Sequence, residues 1–378
     1  MNKPGKRIRV GVLFGGRSGE HEVSLSSAAS VIRALDPEKY EAVPIGIAKD
    51  GRWLIGSGAQ KMLPEVLKSG ERVVLPPDPT AGALVPFAPT TPHPSVAVDV
   101  VFPALHGTFG EDGTVQGLLE LAGLPYVGAG VLASSVGMDK DVQKRLFREA
   151  KLPVGPYVAF PRRAWERSPA DVLKMVSKKL RFPVFVKPAT LGSSVGMSKV
   201  RNRSELPKAL DLAAEFALKI VVEHGFTARE IEVAVLGNDV PEASVPSEIV
   251  PHREYYDYTA KYLEEGTKYL TPAPLKRAQT AKFQEYAIRA FQCIDCAGMA
   301  RVDFFLEKRT NRIYVNEINT IPGFTSISQY PKMWEASGVP YRELIDRLIQ
   351  LALEAHREKS RTKYAIELPA GAAGALES

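Results

Sequence analysis

The opening of the chain constrains the fold most strongly, because an apolar segment runs directly into a glycine-rich loop. Residues Arg9–Phe14 are predicted to form a buried strand, and the loop Gly15–Gly19 follows it. We expect a helix next, capped by Ser24 or Ser26, and then a second strand at about Tyr40–Ile47. This order of strand, loop, helix and strand is typical of a parallel sheet, so the N-terminal part is predicted to be α/β.

A different pattern begins after the proline-rich junction Leu152–Pro156. Strands predicted at Val184–Lys187 and Met197–Val200 are joined by the loop Ala189–Gly196, which fits a hairpin and is too short for a helical crossover. A second hairpin is predicted within residues 298–318. The fold class we predict is therefore α/β, with α+β character in the C-terminal half.

Composition excludes several classes of protein. The 378 residues are 45% hydrophobic and 24% charged, which excludes a disordered or fibrous chain, and the length predicts two or three domains. The net charge of +6 is small and no nucleic-acid-binding motif is visible, so we expect no nucleic-acid partner. No apolar run approaches the roughly 18 residues of a membrane span or the core of a signal peptide, so we expect a cytoplasmic protein without a membrane partner.

The sequence contains two cysteines, Cys293 and Cys296. A zinc site needs about four ligands, and no second pair of cysteines or histidines has suitable spacing. A redox pair of the thioredoxin type would follow a strand, whereas these cysteines end a predicted helix. We therefore expect inert thiols, and so few cysteines suit a reducing compartment.

The most informative chemical signal is the second hairpin, whose turn we place near Thr310. Asp303 and Glu317 each lie seven residues from Thr310, so they should face each other across the two strands. Arg301 and Asn319 each lie nine residues from it and should pair on the same face. Two opposed carboxylates need a cation, and with an amide oxygen they form a hard ligand set that suits Mg²⁺. The alternative is a solvated edge hairpin with an incidental salt bridge.

Two glycine-rich loops are candidates for binding anions. The loop Ala189–Gly196 has two glycines and two serines, and its backbone N–H groups could fold over phosphate oxygens beside Lys187, although such loops are more often plain turns. It does not have the spacing of a P-loop. The loop Gly15–Gly19 lacks the G-x-G-x-x-G spacing of dinucleotide sites, so we favour a substrate loop at the carboxyl end of a parallel strand.

Four tyrosines and a lysine lie within the nine residues Glu254–Tyr262. Alternation along a strand would bury half of this segment in a core. The following residues, 263–267, have the composition of a loop. A long ordered loop with aromatic tips that covers a site is therefore the functional alternative.

Taken together, these segments resemble the D-alanine–D-alanine ligases of the ATP-grasp superfamily over about residues 8–355. The most specific matches are Gly15–Leu25, Leu105–Gly113, Lys187–Met197, Tyr256–Tyr262, Ala300–Asp303 and Asn316–Ser328. The resemblance implies an ATP-grasp fold preceded by an N-terminal parallel-sheet (pre-ATP-grasp) domain. The implied domains are 1–130, 131–226 and 227–364, with a flexible tail at 365–378.

The resemblance also implies the reaction. The carboxylate of one D-alanine attacks the γ-phosphate of ATP, and the amine of a second D-alanine then displaces phosphate from the resulting D-alanyl phosphate. The product, D-alanyl-D-alanine, enters peptidoglycan precursors. The implied partners are ATP, two molecules of D-alanine and two Mg²⁺ ions, or Mn²⁺ in their place. Because relatives are commonly dimers, we expect a homodimer.

The family's nucleotide and metal residues carry over to this chain by resemblance. The metal ligands would be Asp303, Glu317 and Asn319. The ATP-binding residues would be Lys140, Lys187, Ser193, Glu223, Glu230 and Lys261. Among these, the lysines would contact the phosphates, and the two glutamates would take the adenine and ribose ends.

The resemblance also places residues at two substrate positions. Glu20 would hold the ammonium group of the first D-alanine, with His106 nearby. Ser328 would bind the carboxylate of the second D-alanine, and Gln329 is assigned to the same substrate-binding group.

The catalytic residues implied by the resemblance act on developing charge and on water. Arg301 and the backbone N–H of Gly323 would stabilise the oxyanion of the tetrahedral intermediate. Glu20, Ser193 and Tyr262 would hydrogen-bond together and close the site, because acyl phosphates hydrolyse readily in water.

Three alternatives fit the sequence less well. A ligase of the same fold that makes D-alanyl-D-lactate would lack the Tyr-Asp-Tyr-x-x-Lys-Tyr lid, which is present at Tyr256–Tyr262. A non-catalytic nucleotide-binding relative would be expected to have lost a metal carboxylate or Arg301, and the sequence keeps all of them. An NAD-dependent dehydrogenase is disfavoured by the glycine spacing.

Overall fold

The structure is a computed structural model that describes residues 7–56, 63–88, 95–250 and 267–364. Within these residues the chain forms three β-sheets, each covered by helices. The sheets follow one another along the chain, so each is built from a continuous part of the sequence.

The first sheet is built from seven strands: β1 (Ile8–Gly15), β2 (Tyr40–Ile47), β3 (Trp53–Ile55), β4 (Glu71–Val74), β5 (Ala83–Pro86), β6 (Val96–Ala97) and β7 (Val100–Pro103). Their spatial order is β6-β5-β4-β3-β2-β1-β7. β1 pairs in parallel with β2 and β7, where the apolar sequence predicted a parallel sheet. The pairs from β2 to β6 are antiparallel, so the other end of the sheet is a meander.

Helices α1 (His21–Ala34), α2 (Leu63–Ser69), α3 (Thr114–Leu121) and α4 (Val131–Met138) accompany this first sheet. The second sheet follows helix α5 (Lys140–Glu149) and has the order β10-β9-β11-β8. Its strands and remaining helices are β8 (Tyr157–Pro161), α6 (Arg162–Arg167), α7 (Pro169–Lys179), β9 (Val184–Pro188), β10 (Ser198–Val200), α8 (Leu206–Phe216) and β11 (Lys219–His224). All three pairings are antiparallel, including the predicted β9–β10 hairpin.

The third sheet has six strands: β12 (Ala228–Gly237), β13 (Glu242–Ala243), β14 (Ser247–Val250), β15 (Lys268–Leu270), β16 (Gly298–Glu307) and β17 (Ile313–Asn319). Five of them have the order β15-β14-β12-β16-β17, and β13 pairs with β12. Three helices complete it: α9 (Arg277–Cys293), α10 (Gln329–Ala336) and α11 (Tyr341–Lys359). Within the described ranges, no helix is long and apolar enough to span a membrane.

Apolar periodicity explains how the helices pack. In α9 the fully buried residues Phe283, Ala287, Ala290 and Phe291 recur at helical spacing and pack on the third sheet. A separate core cluster joins α1 and β1 of the first sheet to α10 and α11. The N-terminal and C-terminal parts of the chain therefore share one buried apolar core, which fixes the first sheet beside the third.

Two local predictions were wrong. Helix α1 begins at His21 after Glu20, and Ser24 lies inside it, where its Oγ donates to Ala104 O at 2.5 Å and accepts from Gly15 N at 2.8 Å. Ser24 therefore bonds the ends of two strands and does not cap the helix. The proline-rich composition of residues 76–94 also predicts a surface loop, yet Ala83–Pro86 within it form the strand β5.

Candidate active site

A cleft of about 1200 Å³ is lined by residues from all three sheets and their loops. Glu20 and His106 line it from the N-terminal part, Lys187 from β9 and Arg301 from β16. Strands and helix ends supply most of these residues, and such rigid elements can hold several charged groups in fixed relation.

The loop after β9 covers one side of the cleft. Ser193 and Ser194 both have positive φ angles, of 50° and 57°, which few residues other than glycine adopt. The Ser193 hydroxyl donates a hydrogen bond to Glu20 Oε1, and Lys140 Nζ donates to Leu191 O at 2.9 Å. The loop is therefore bonded to the N-terminal part of the chain and to the start of α5.

The predicted lid lies outside the described residues. This applies to the whole tyrosine-rich segment, including the two residues assigned to the site, Lys261 and Tyr262.

The second hairpin has the predicted facing pairs, but the assumed turn was misplaced. Asp303 pairs with Glu317, and Arg301 pairs with Asn319, as expected. Nearer the turn the register is different, because Phe304 pairs with Val315. Asn316 is an extra residue of β17, which forms a β-bulge between the pairs of Asp303 and Phe304. The strand pairs on the turn side of this bulge are centred half a residue before Thr310. The bulge, and not the turn alone, places the four polar residues on one face.

The metal-ligand set predicted from the sequence is present as three oxygen-bearing side chains on this face. Among the described residues, no three His, Cys, Asp or Glu side chains are grouped closely enough to hold a metal ion by themselves. Asp303, Glu317 and Asn319 supply two carboxylates and one amide oxygen at facing strand positions. Such a set fits Mg²⁺, which normally keeps phosphate and water oxygens as its other ligands.

Arg301 lies between two acidic side chains. Its guanidinium donates to both carboxylate oxygens of Asp303, at 2.7 and 2.8 Å, and Nε is 3.1 Å from Glu232 Oε1. Burial acts to lower the pKa of Arg301, but Asp303 and Glu232 raise it overall. The guanidinium is therefore always charged and is held from two sides.

A buried charge cluster lies behind the second hairpin. Glu223 on β11 accepts a hydrogen bond from Lys187 Nζ at 2.7 Å, and its other oxygen is 3.2 Å from Lys144 Nζ. Burial alone would raise the pKa of Glu223, but these two ammonium groups outweigh it and hold that pKa at about 2. Burial lowers the pKa of Lys144, whereas Glu223 and Glu317 outweigh burial and raise the pKa of Lys187. The neighbouring charge of Lys187 also acts to lower the pKa of Lys144.

This cluster predicts a pH dependence of stability. A carboxyl whose pKa is lowered by folding stabilises the folded state above its ordinary pKa, and this contribution disappears as the pH falls toward the folded value. Glu223→Gln should therefore destabilise the protein by about 3 kcal/mol at neutral pH. The difference in free energy of unfolding between Glu223→Gln and the parent protein should become smaller as the pH falls from about 4.5 to about 2. Unfolding curves of both proteins at several pH values measure this, and a constant difference would contradict it.

Glu230 lies on β12 and lines the same part of the cleft as Glu223. Phe185, Phe226 and Phe305 line the cleft nearby. The cleft therefore offers apolar rings and two carboxylates at one end, while Lys140 and Lys187 lie toward its middle.

His106 is buried at the opposite end of the cleft. Its Nε2 lies 2.9 Å from Ser27 Oγ, and its Nδ1 lies 3.3 Å from Ile321 O and 3.6 Å from Glu111 Oε1. Burial acts to lower the pKa of His106, but Glu111 and Glu20 raise it overall. Burial raises the pKa of Glu111. His106 and Glu111 therefore form a coupled pair beside Glu20.

Ser328 and Gln329 lie where helix α10 begins. Ser328 Oγ accepts from Thr325 N at 3.1 Å and lies 2.7 Å from Thr325 Oγ1, while Gln329 Oε1 accepts from Ser247 Oγ at 3.0 Å. If Thr325 donates both bonds, the Ser328 proton points to the cleft. A Cβ on Gly323 would lie 3.3 Å from Ser328 Oγ, so the backbone at Gly323 approaches this hydroxyl closely.

Four residues of the site were missed from the sequence: Glu111, Lys144, Glu232 and Thr325. Glu111 lies inside the matched segment Leu105–Gly113. Glu232 lies two residues after Glu230 and shares its side of the strand, and Lys144 lies four residues after Lys140 on one helix face. These spacings could be read from the sequence, but the residues that contact Glu232 and Lys144 lie on other strands.

Comparisons with known proteins agree with this architecture. Two family models match: the one described as D-ala D-ala ligase N-terminus over residues 9–129, and the one described as D-ala D-ala ligase C-terminus over residues 146–350. A D-alanine--D-alanine ligase of Heliobacterium modesticaldum is 53% identical over 353 residues, 93% of this chain and 96% of that protein.

Solved structures give the same result. The D-alanine-D-alanine ligase from Coxiella burnetii superposes with a TM-score of 0.83 at 38% identity, covering 94% of this chain and 97% of that one. The VanG D-Ala:D-Ser ligase from Enterococcus faecalis has a TM-score of 0.82 at 36% identity, covering 92% of this chain and 100% of that one.

Proposed function

The chain belongs to the D-alanine–D-alanine ligase family, and from that membership we infer that it uses ATP to join two D-alanines. The product is D-alanyl-D-alanine for peptidoglycan precursors, and ADP and phosphate are released. The observation that carries this function is the arrangement of the cleft. Lys140 and Lys187 line it together with the face that carries Asp303 and Glu317, and Lys140 Nζ lies 3.3 Å from Glu317 Oε2.

Two anions must meet in the first step, because a carboxylate attacks a triphosphate. Lys140 and Lys187 neutralise phosphate charge from one side, and the loop Ala189–Gly196 offers backbone N–H groups and the Ser193 hydroxyl. Glu223 and Glu230 take the adenine and ribose ends of ATP. Lys261 is assigned to the phosphates as well.

Asp303, Glu317 and Asn319 would hold Mg²⁺, or Mn²⁺ in its place, against the ATP phosphates. When bound, two such ions neutralise phosphate charge and align the transferred group. Arg301 is anchored beside these ligands through Asp303 and Glu232. We assign its guanidinium to the carbonyl oxygen of the acyl phosphate, on which negative charge develops.

The second step is attack by an amine on that carbonyl. Arg301 and the Gly323 N–H stabilise the oxyanion as the C–N bond forms, and phosphate then leaves as the C–O bond breaks. Glu20 holds the ammonium of the first D-alanine beside His106. Ser328 donates to the carboxylate of the second, and Gln329 lies next to it.

Water must be excluded while the acyl phosphate exists. The hydrogen bond from Ser193 to Glu20 joins the loop over the cleft to the first substrate position. We assign Tyr262 to the same closure, as a third member that would contact both residues. Its hydroxyl would complete the cover over the site.

The organisation of the protein follows from the same family. We assign an N-terminal substrate domain to residues 1–130, two ATP-grasp domains to 131–226 and 227–364, and a tail to 365–378. Two copies would form a homodimer. We assign the enzyme to the cytoplasm, which its proposed use of ATP and its two free thiols support.

The substrate assignment is tested by phosphate release from ATP. We expect release with D-alanine alone, with an equal amount of D-alanyl-D-alanine identified by mass spectrometry. Adding D-lactate or D-serine in competition should leave the dipeptide of D-alanine as the main product across pH 6 to 9. A main product of D-alanyl-D-lactate or D-alanyl-D-serine would overturn the assignment. The D-serine arm is included because one structural relative is a D-Ala:D-Ser ligase.

A further inference from the structure

Lys144 is a buried lysine close to the cleft that the roles above do not use. It lies four residues after Lys140 on α5, so the two side chains extend from one face of the helix. The Lys144 side chain is 4% exposed and does not line the cleft, whereas its two partners, Glu223 and Asn316, do. Lys144 therefore acts through other residues.

The first partner is the carboxylate of Glu223. Its two oxygens face two ammonium groups, Lys187 at 2.7 Å and Lys144 at 3.2 Å. When Lys187 also contacts a nucleotide phosphate, its charge is shared between two anions, Glu223 and the phosphate. A buried carboxylate without a counter-ion is strongly unfavourable. Lys144 does not line the cleft, and its charge faces Glu223 and the Asn316 carbonyl.

The second partner is the backbone carbonyl of Asn316, which accepts a hydrogen bond from Lys144 Nζ. Asn316 is the extra residue of the β-bulge in β17. The bulge places Glu317 and Asn319 on the face of Asp303 and Arg301. Lys144 therefore joins the carboxylate on the second sheet to the bulge on the third.

We propose that Lys144 is a positioning residue for the nucleotide, which holds Glu223 and the Asn316 bulge in fixed relation while Lys187 is shared between Glu223 and the phosphates. This inference rests on the proposed ATP-dependent function. It predicts that loss of the Lys144 charge weakens nucleotide binding much more than D-alanine binding. Loss of one charge-assisted bond corresponds to a roughly ten- to hundredfold change in affinity.

The test is titration of the full-length protein with the non-hydrolysable analogue AMP-PNP and Mg²⁺. Lys144→Met keeps the apolar stem and removes the charge, and we expect its dissociation constant to rise roughly ten- to hundredfold. In steady-state assays of Lys144→Met, the KM for ATP should rise by a factor similar to that of the AMP-PNP dissociation constant. The KM for each of the two D-alanines should change less than about threefold. Arg145→Met is the matched control, because Arg145 is the next residue of the helix and its side chain is 68% exposed.

A second variant keeps the proposal falsifiable if Lys144→Met does not fold. Lys144→Gln retains N–H donors for the Asn316 carbonyl and lacks the charge. A double-mutant cycle with Glu223→Gln should show strong coupling in AMP-PNP affinity. Affinity within twofold of the parent, or equal shifts in the ATP and D-alanine constants, would overturn the proposal. Binding of AMP-PNP needs no D-alanine, so failure of the wild type to make the dipeptide would count against the function alone.

Discussion

Glu317→Gln and Asp303→Asn should each lower dipeptide synthesis by at least about a hundredfold while leaving the fold intact. A bound metal ion contributes several kcal/mol to transition-state charge stabilisation, and about 1.4 kcal/mol corresponds to a tenfold change in rate. The lost charge serves the ion and the phosphates, and neither side chain belongs to an apolar core cluster. Phosphate release at saturating ATP and D-alanine, over a range of Mg²⁺ concentrations, measures the effect.

The two variants also lose different contacts, since Asp303 anchors Arg301 whereas Glu317 lies 3.3 Å from Lys140 Nζ. Glu307→Gln is the matched control, because Glu307 lies on β16 of the same hairpin and does not line the cleft. We expect excess Mn²⁺ to restore part of the lost activity. Near-normal turnover of either variant at ordinary Mg²⁺ would mean that the oxygen ligands of the metal lie elsewhere.

Facing pairs in the second hairpin could be predicted because strand alternation and pairing are local. The bulge at Asn316 could not, because nothing in the residue types around it specifies an extra residue. The predicted pairs were correct although the turn was placed half a residue too late, because the bulge compensates for this error. The structure therefore supplies the reason for the register, and with it the carbonyl that Lys144 uses.

The error in predicting the start of helix α1 arises from contacts between residues that are distant in the sequence. Ser24 and Ser26 are good capping residues by type, yet the Ser24 hydroxyl bonds Ala104 and Gly15, which lie on two neighbouring strands or their ends. This leaves Glu20 at the start of α1, where the helix dipole favours a carboxylate. The position that suits a substrate ammonium is thus set by contacts distant in sequence.

Buried charges were the least predictable part of the site. Glu232 lies on β12 together with Arg229 and Glu230, and its partner Arg301 comes from the neighbouring strand. Lys144 on α5 likewise meets Glu223 on β11, whereas Glu111 meets His106 within a single loop. A single sequence gives residue types and local spacing, but it does not show which distant charges meet.

The two D-alanine positions should respond separately to mutation, because the two substrates carry the same groups but use them differently. The first D-alanine keeps its ammonium throughout, so an anion such as Glu20 can hold it. The amine of the second must lose its proton to attack, so its position should be recognised through the carboxylate, to which Ser328 can donate. Thr325 N donates to Ser328 Oγ and so orients that hydroxyl.

We therefore expect Ser328→Ala to raise the apparent KM for the second D-alanine and to leave the apparent KM for the first unchanged. We expect Glu20→Gln to raise the apparent KM for the first D-alanine and to leave that for the second unchanged. Hydrogen bonds to charged groups contribute about 1.5–3 kcal/mol, or roughly ten- to over a hundredfold in affinity. A D-alanine saturation curve fitted with two constants measures both, and ATP/ADP exchange in the first half-reaction checks the assignment. Ser326→Ala and Glu22→Gln are matched controls, because both side chains are exposed and close in sequence to their targets. Should Ser328→Ala weaken the first position instead, the direction in which the two substrates lie in the cleft would be reversed.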